Sequence, residues 1–124
     1  RSYSLVVAPI SNPLNQQVLS TVMKQFWLSK NWLVWEEIIG NQTVIQANNE
    51  IGEYSLPAAL VQVIAVGVDY VIYNKGSSVW AWKPTEQPYQ LFAFPINQAR
   101  FDEATGLLYF TTGAENSLYR VSLP

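Results

Sequence analysis

Nine carboxylates and seven cations, with no histidine and no cysteine, set the chemistry open to this chain of 124 residues. The acids are Glu36, Glu37, Glu50, Glu53, Asp69, Glu86, Asp102, Glu103 and Glu115. Glycoside hydrolysis needs two carboxyl groups facing each other across about 5–9 Å. Glu36 and Glu37 are adjacent in an extended stretch, so their side chains leave opposite faces. Asp102 and Glu103 fall in a turn, where acids are ordinary, and the acids as a group read as solvated surface. Nucleophilic catalysis by serine has no imidazole to take its proton, and no local motif pairs a serine with a lysine. Metal sites built on His or Cys are excluded by composition. Asn48-Asn49-Glu50 with Glu53 is too sparse for a calcium loop, and no glycine-rich nucleotide motif occurs. No catalytic residue, metal or cofactor is expected.

The aromatic residues are the remaining candidates. Trp80 and Trp82 share one face of an alternating stretch, and Trp27, Trp32 and Trp35 bracket a second region. Tyr89, Phe92, Phe94, Tyr109 and Phe110 follow. Tryptophan is highly buried on average, so the first role of these rings is to fill the core. Five tryptophans in so small a domain are nevertheless hard to bury completely. Trp80, Trp82, Trp32, Trp35, Tyr89 and Phe92 are therefore the candidate ligand- or partner-binding residues, lining an apolar pocket or a partner groove.

The elements that position them begin with Tyr3 to Ile10, a short apolar strand. Asn12-Pro13 has the composition of a helix start, asparagine as cap and proline in the first turn. Leu14, Val18, Leu19, Val22, Met23, Phe26 and Trp27 then share one face at helical spacing, which predicts a helix ending near Lys30 and Asn31. Trp32 to Ile39, a Gly40-Asn41-Gln42 turn and Thr43 to Ala47 read as a hairpin. Asn48 to Tyr54 is a polar loop. Ser55 caps a second expected helix with the stripe Leu56, Ala59, Leu60, Val63 and Ile64, ending at Gly67 in the left-handed region. Val68 to Tyr73, the turn Asn74-Lys75-Gly76-Ser77 and Val79 to Lys83 form a second hairpin. After Pro84, strands at Tyr89–Phe94, Leu107–Thr111 and Ser117–Ser122 alternate with turns. The fold class expected is α+β: two helices packed on a mostly antiparallel sheet, with a β-meander in the C-terminal half. Residues 1–124 make one domain by size, with a soft change of composition near residue 84.

Hydrophobic residues reach 49%, enough for a sizeable core, while charged residues are 13%, about half the usual share. The net charge is −2 and the cations are scattered, which argues against direct nucleic-acid contact. No apolar run is long enough to span a membrane, and the first residues do not have the pattern of a signal peptide. The immediate strand-like start suggests a segment excised from a longer chain. Asn41-Gln42-Thr43 matches a glycosylation sequon by chance composition.

Three stretches resemble known modules. VVAPISNPLNQQVLSTVMKQFWLSKNWLVWEEIIGNQTVIQA resembles the periplasmic domain of membrane-anchored transcription regulators of the ToxR and CadC type. AALVQVIAVGVDYVIYNKGSSVWAW resembles the amino-terminal module of TolB, and FDEATGLLYFTTGAENSLYRVSL is similar to one blade of a TolB-like propeller. The ToxR-type domain often carries a cysteine pair that this chain lacks. The resemblance implies a non-enzymatic, extracytoplasmic sensing or interaction domain of a membrane-anchored regulator. Its partner would be a small protein, a second copy joined through a sheet edge, or an apolar small molecule. The strands at Trp32–Ile39 and Ser117–Ser122 carry few charges and read as the edges open to such pairing. An alternative from another class is a small carrier with an aromatic-lined cavity.

Overall fold

The computed structural model describes residues 3–58, 60–113 and 117–124. Arg1, Ala59 of the expected second helix, and Glu115 lie outside the described residues. Among those described, the chain forms strands throughout: β1 (Tyr3–Val7), β2 (Gln17–Leu28), β3 (Leu33–Ile39), β4 (Gln42–Asn48), β5 (Glu53–Ala58), β6 (Val61–Val66), β7 (Val71–Lys75), β8 (Ser78–Trp82), β9 (Tyr89–Phe92), β10 (Gln98–Asp102), β11 (Leu107–Thr111) and β12 (Leu118–Ser122). The α+β expectation is overturned, because the fold is all-β and neither helix exists. Three antiparallel meanders follow one another along the chain. Sheet 1 is β1 to β5, sheet 2 is β6 to β9 and sheet 3 is β10 to β12.

The segment expected as the first helix is β2, which pairs with β1 along its first half and β3 along its second. Its helical appearance comes from irregular pairing. The register shifts at Leu5 in β1, opposite Ser20, and again between Met23 and Gln25 in β2. Each added residue breaks the period-two alternation. Ser20 and Met23, both buried, are therefore three positions apart, and the half-buried Trp27 follows after four. That is the spacing a helix would give. Asn12 caps nothing helical: its N–H donates to the Pro9 carbonyl at 3.1 Å, and the Asn15 N–H donates to the Asn12 carbonyl at 3.0 Å. The second expected helix is divided between β5 and β6.

Sheet 2 lies between the other two and buries both faces, which explains its near-continuous apolar strands. Trp32, Val34, Ile45 and Ala47 of sheet 1 pack against Val61, Val63, Val71, Tyr73 and Trp82 of sheet 2. On the opposite face, Ala65, Ile72, Val79 and Ala81 meet Ile96, Leu108 and Phe110. β8 divides its side chains by alternation, the tryptophans to sheet 1 and Val79 and Ala81 to sheet 3. β6 does so with a bulge between Val63 and Ala65. Val61 and Val63 face sheet 1, Ile64 and Ala65 face sheet 3, and Val66 returns to sheet 1. A third, smaller cluster of Leu5, Met23 and Trp35 lies on the outer face of sheet 1. Residue 84 sits between β8 and β9, which pair within one sheet.

Gly67 is needed for a reason other than the one expected. It is not at positive φ. A Cβ there would lie 2.7 Å from the Phe101 ring, so the glycine admits the ring of β10 against the β6–β7 turn.

Candidate functional site

Four connections between successive strands come together at one end of sheets 1 and 2. Each is fixed by local hydrogen bonds. In the β2–β3 turn, the Ser29 N–H donates to the Trp32 carbonyl at 2.9 Å and the Trp32 N–H donates to Ser29 Oγ at 3.1 Å. Lys30 and Asn31 are thereby pushed to the tip. In the β4–β5 turn, Asn49 Oδ1 accepts the N–H groups of Ile51 and Gly52 at 2.9 and 3.0 Å, the pattern by which asparagine stabilises a turn. Glu50 stands at that tip. The β6–β7 turn closes with the Gly67 N–H on the Tyr70 carbonyl at 2.8 Å and presents Asp69. The β8–β9 connection is held by the Glu86 N–H on the Lys83 carbonyl at 2.7 Å, and the Lys83 ammonium lies 3.6 Å from the Glu86 carboxylate.

Between these tips is a cleft of about 980 Å³, lined by Lys30, Asn31, Asn49, Glu50, Glu53, Asp69 and Lys83 and floored by Trp32 and apolar residues of β1, β2 and β3. Asn31 Nδ2 donates to Asp69 Oδ1 at 3.5 Å, a link between the turns of sheets 1 and 2. Trp32 is buried and meets Tyr54 edge-on, with ring centroids 5.7 Å apart. The cleft offers both signs of charge and several amide groups over an apolar floor, a surface suited to orienting a polar ligand or a loop.

The aromatic candidates are not brought together. Trp32, Trp80 and Trp82 belong to the core between sheets 1 and 2, Tyr89 and Phe92 to the core between sheets 2 and 3, and Trp35 to the outer cluster. Of the six, only Trp32 lines the rim cleft. Burial pushes the phenols of Tyr73 and Tyr89 up to about 12, so both stay neutral across the physiological range.

Glu36 corrects the reading of every acid as surface. Its side chain is 3% exposed, and Oε2 accepts the Val63 N–H at 2.9 Å, joining β3 to the bulged stretch of β6. Burial raises its pKa above the ordinary carboxylate value, against the lowering effects of that hydrogen bond and of Lys24. Glu37 does leave the opposite face, where it accepts Trp35 Nε1 at 2.9 Å.

Sequence reasoning missed the rim residues because it placed Lys30 and Asn31 at a helix end and Asp69 inside a strand. The signal was the polar pair Lys30-Asn31 between two apolar runs, which is turn composition. It also missed β10, whose sequence QARFD has no β-branched residue. A second groove of about 520 Å³ runs beside β10, lined by Gln62, Ile64, Arg100, Tyr109 and Leu118 among others. No protein-family model, curated protein or solved structure matches the chain.

Proposed function

We propose that this is a non-catalytic sensing or interaction domain that binds at the rim cleft, taking a polar ligand or a loop of a small partner protein. One observation carries the reading. The chain has only seven cations and nine anions, yet Lys30, Glu50, Glu53, Asp69 and Lys83 line the same cleft. Four of them come from four separate turns, and rigid sheets that hold short loops at one end are a common way to build a binding surface. The aromatic side chains are divided among three clusters and used in packing, which favours the cleft over a carrier cavity lined by rings. Placement outside the inner membrane, in a membrane-anchored regulator, is part of the proposal and rests on the sequence resemblance.

The test is an amide-shift titration of the labelled domain against zwitterionic and charged small molecules and short peptides. Saturable shifts at Lys30, Asn31, Asp69 and Lys83, weakened by Asp69→Ala and Lys83→Ala without loss of fold, are the expected result. Shifts confined elsewhere, or turnover of the added compounds, would reject the reading.

A further inference from the structure

Sheets 2 and 3 are built alike up to their third strand and then differ. In sheet 2, β8 is covered by β9 through Val79↔Phe92, Trp80↔Gln90 and Ala81↔Tyr89. In sheet 3, β12 pairs with β11 on one side and, among the described residues, with no strand on the other. Four of the other outer strands carry features that discourage pairing. β1 pairs through two register shifts, β5 contains Pro57, β6 is bulged, and β9 is short and irregular with Pro88 before it and Pro95 after it. The fifth, β10, has none of these, but it runs alongside β6 of sheet 2. β12 has no lysine, no proline and no bulge. It pairs with β11 in unbroken register over five residues, Leu118 to Ser122. The Tyr70 hydroxyl donates to the Pro124 carbonyl and anchors the chain just past the strand.

The two faces of this edge have different chemistry. On one, Arg100, Tyr109 and Arg120 lie in one cross-strand row over β10, β11 and β12. Neither arginine has an ion-pair partner among the described residues. The acid on that face, Asp102, is engaged in its own turn, accepting from the Ala104 N–H at 3.1 Å and Thr105 Oγ1 at 2.8 Å. On the other face a ladder of rings leads to the edge. Phe94 stacks on Phe92 at 5.0 Å, Phe92 meets Phe110 at 4.7 Å, and Phe110 stacks on Tyr119 at 5.5 Å. Val121 and Leu123 continue this face.

We propose that β12 accepts an extended segment of a partner protein as a fourth strand of sheet 3, a segment alternating acidic side chains toward Arg120 with apolar ones beside Tyr119 and Val121. In an antiparallel sheet every second residue of an edge strand turns its N–H and C=O outward, so the backbone supplies most of the affinity and the alternation supplies the selection. Arg120 is exposed, so it chooses among partners rather than holds them. This rests on the reading of the chain as an interaction domain but not on the rim cleft, which no residue of sheet 3 lines.

The experiment titrates the intact labelled chain with a short capped peptide alternating glutamate and valine. Its controls are a lysine–valine counterpart and a glutamate–valine peptide N-methylated at alternate amides. The expected result is shifts confined to β12 and its neighbours on β10 and β11, with affinity lost by roughly tenfold or more on N-methylation, since several hydrogen bonds go at once. Arg120→Glu, an exposed change that leaves the fold intact, should weaken the acidic peptide several-fold and improve the basic one. Equal binding of the acidic and basic peptides, undiminished binding of the N-methylated peptide, or no shift in β12 would overturn the proposal. So would self-association in sedimentation equilibrium that moves the same amides, because the edge would then belong to a second copy. Shifts at Lys30 and Asp69 report on the rim cleft instead, so the two readings fail separately.

Discussion

Replacing Glu36 separates two effects that the fold combines at one side chain, a hydrogen bond that stabilises and a buried charge that does not. The carboxylate lies between sheets 1 and 2 and accepts the Val63 N–H at 2.9 Å. Removing the acceptor leaves that N–H buried without a partner, which costs about 1–3 kcal/mol. Burial dominates the shift and raises the folded pKa above 4.5. The sign follows from linkage. The folded state holds the Glu36 proton more tightly than the unfolded chain does. Its contribution to stability is thus fully present below pH 4.5 and is lost as pH rises through the folded value. Glu36→Gln keeps an acceptor oxygen and discards the charge. It should match the wild type in urea denaturation near pH 4.5 and be more stable than the wild type at neutral pH. Glu36→Ala should be destabilised by about 1–3 kcal/mol at the lower pH, where the wild type carries no charge penalty. The two proteins differ at this one side chain, so the difference between them isolates its contribution. A wild-type-minus-Gln difference that does not change with pH would refute the argument. Rapid hydrogen exchange of the Val63 amide in the wild type would refute it as well.

Three further outcomes follow from local geometry. Gly67→Ala should destabilise the fold by about 1–3 kcal/mol in denaturant titration, because the added methyl group meets the Phe101 ring; Phe101→Leu in the same chain should recover part of the loss. Asn12→Ala should leave the denaturation midpoint nearly unchanged, since Asn12 is exposed and its turn is held by backbone groups, and a cost of about 1 kcal/mol would indicate a helix cap after all. Asn49→Ala removes the acceptor of two backbone N–H groups and should cost about 1 kcal/mol, with faster exchange of the Ile51 and Gly52 amides; unchanged exchange would show that the turn does not depend on the side chain.

The turns and the strands they join were legible because their chemistry is local. Gly40 and Gly76 take the left-handed conformation that their hairpins need, and the sequence around each shows it. The alternation Val79-Trp80-Ala81-Trp82 correctly divides two faces. What failed was the choice of period over Gln17–Leu28 and Ser55–Val66. An irregular strand places buried residues three and four apart, as a helix does, and only the partner strand distinguishes the two. The β-branched residues Val61, Val63, Ile64 and Val66 favoured the extended form, and weighting them above the apolar spacing would have given β6. Trp32 to Ile39 was read as an edge because it carries few charges. It lies between β2 and β4, and low charge there reflects burial rather than exposure.

The candidate surfaces follow the same division between local and non-local information. Lys30 lies 39 positions before Asp69, and Asp69 lies 14 before Lys83; the three meet only because successive meanders stack with their turns at one end. No spacing along the chain could announce that. Glu36 is the same case in the core, since its acceptor role depends on a bulge in a strand 27 residues away. β12 was one of two strands whose composition read as an open edge, and of the two it is the one that lies at an edge. Which residues share a face with Arg120 was not readable, since that row is set by its register opposite Tyr109 of β11, with Arg100 of β10 beyond. A binding surface in a stacked β-fold is thus visible in sequence only as far as one strand carries it. The selectivity lies in the register between strands, and the peptide and the Arg120→Glu variant probe that register.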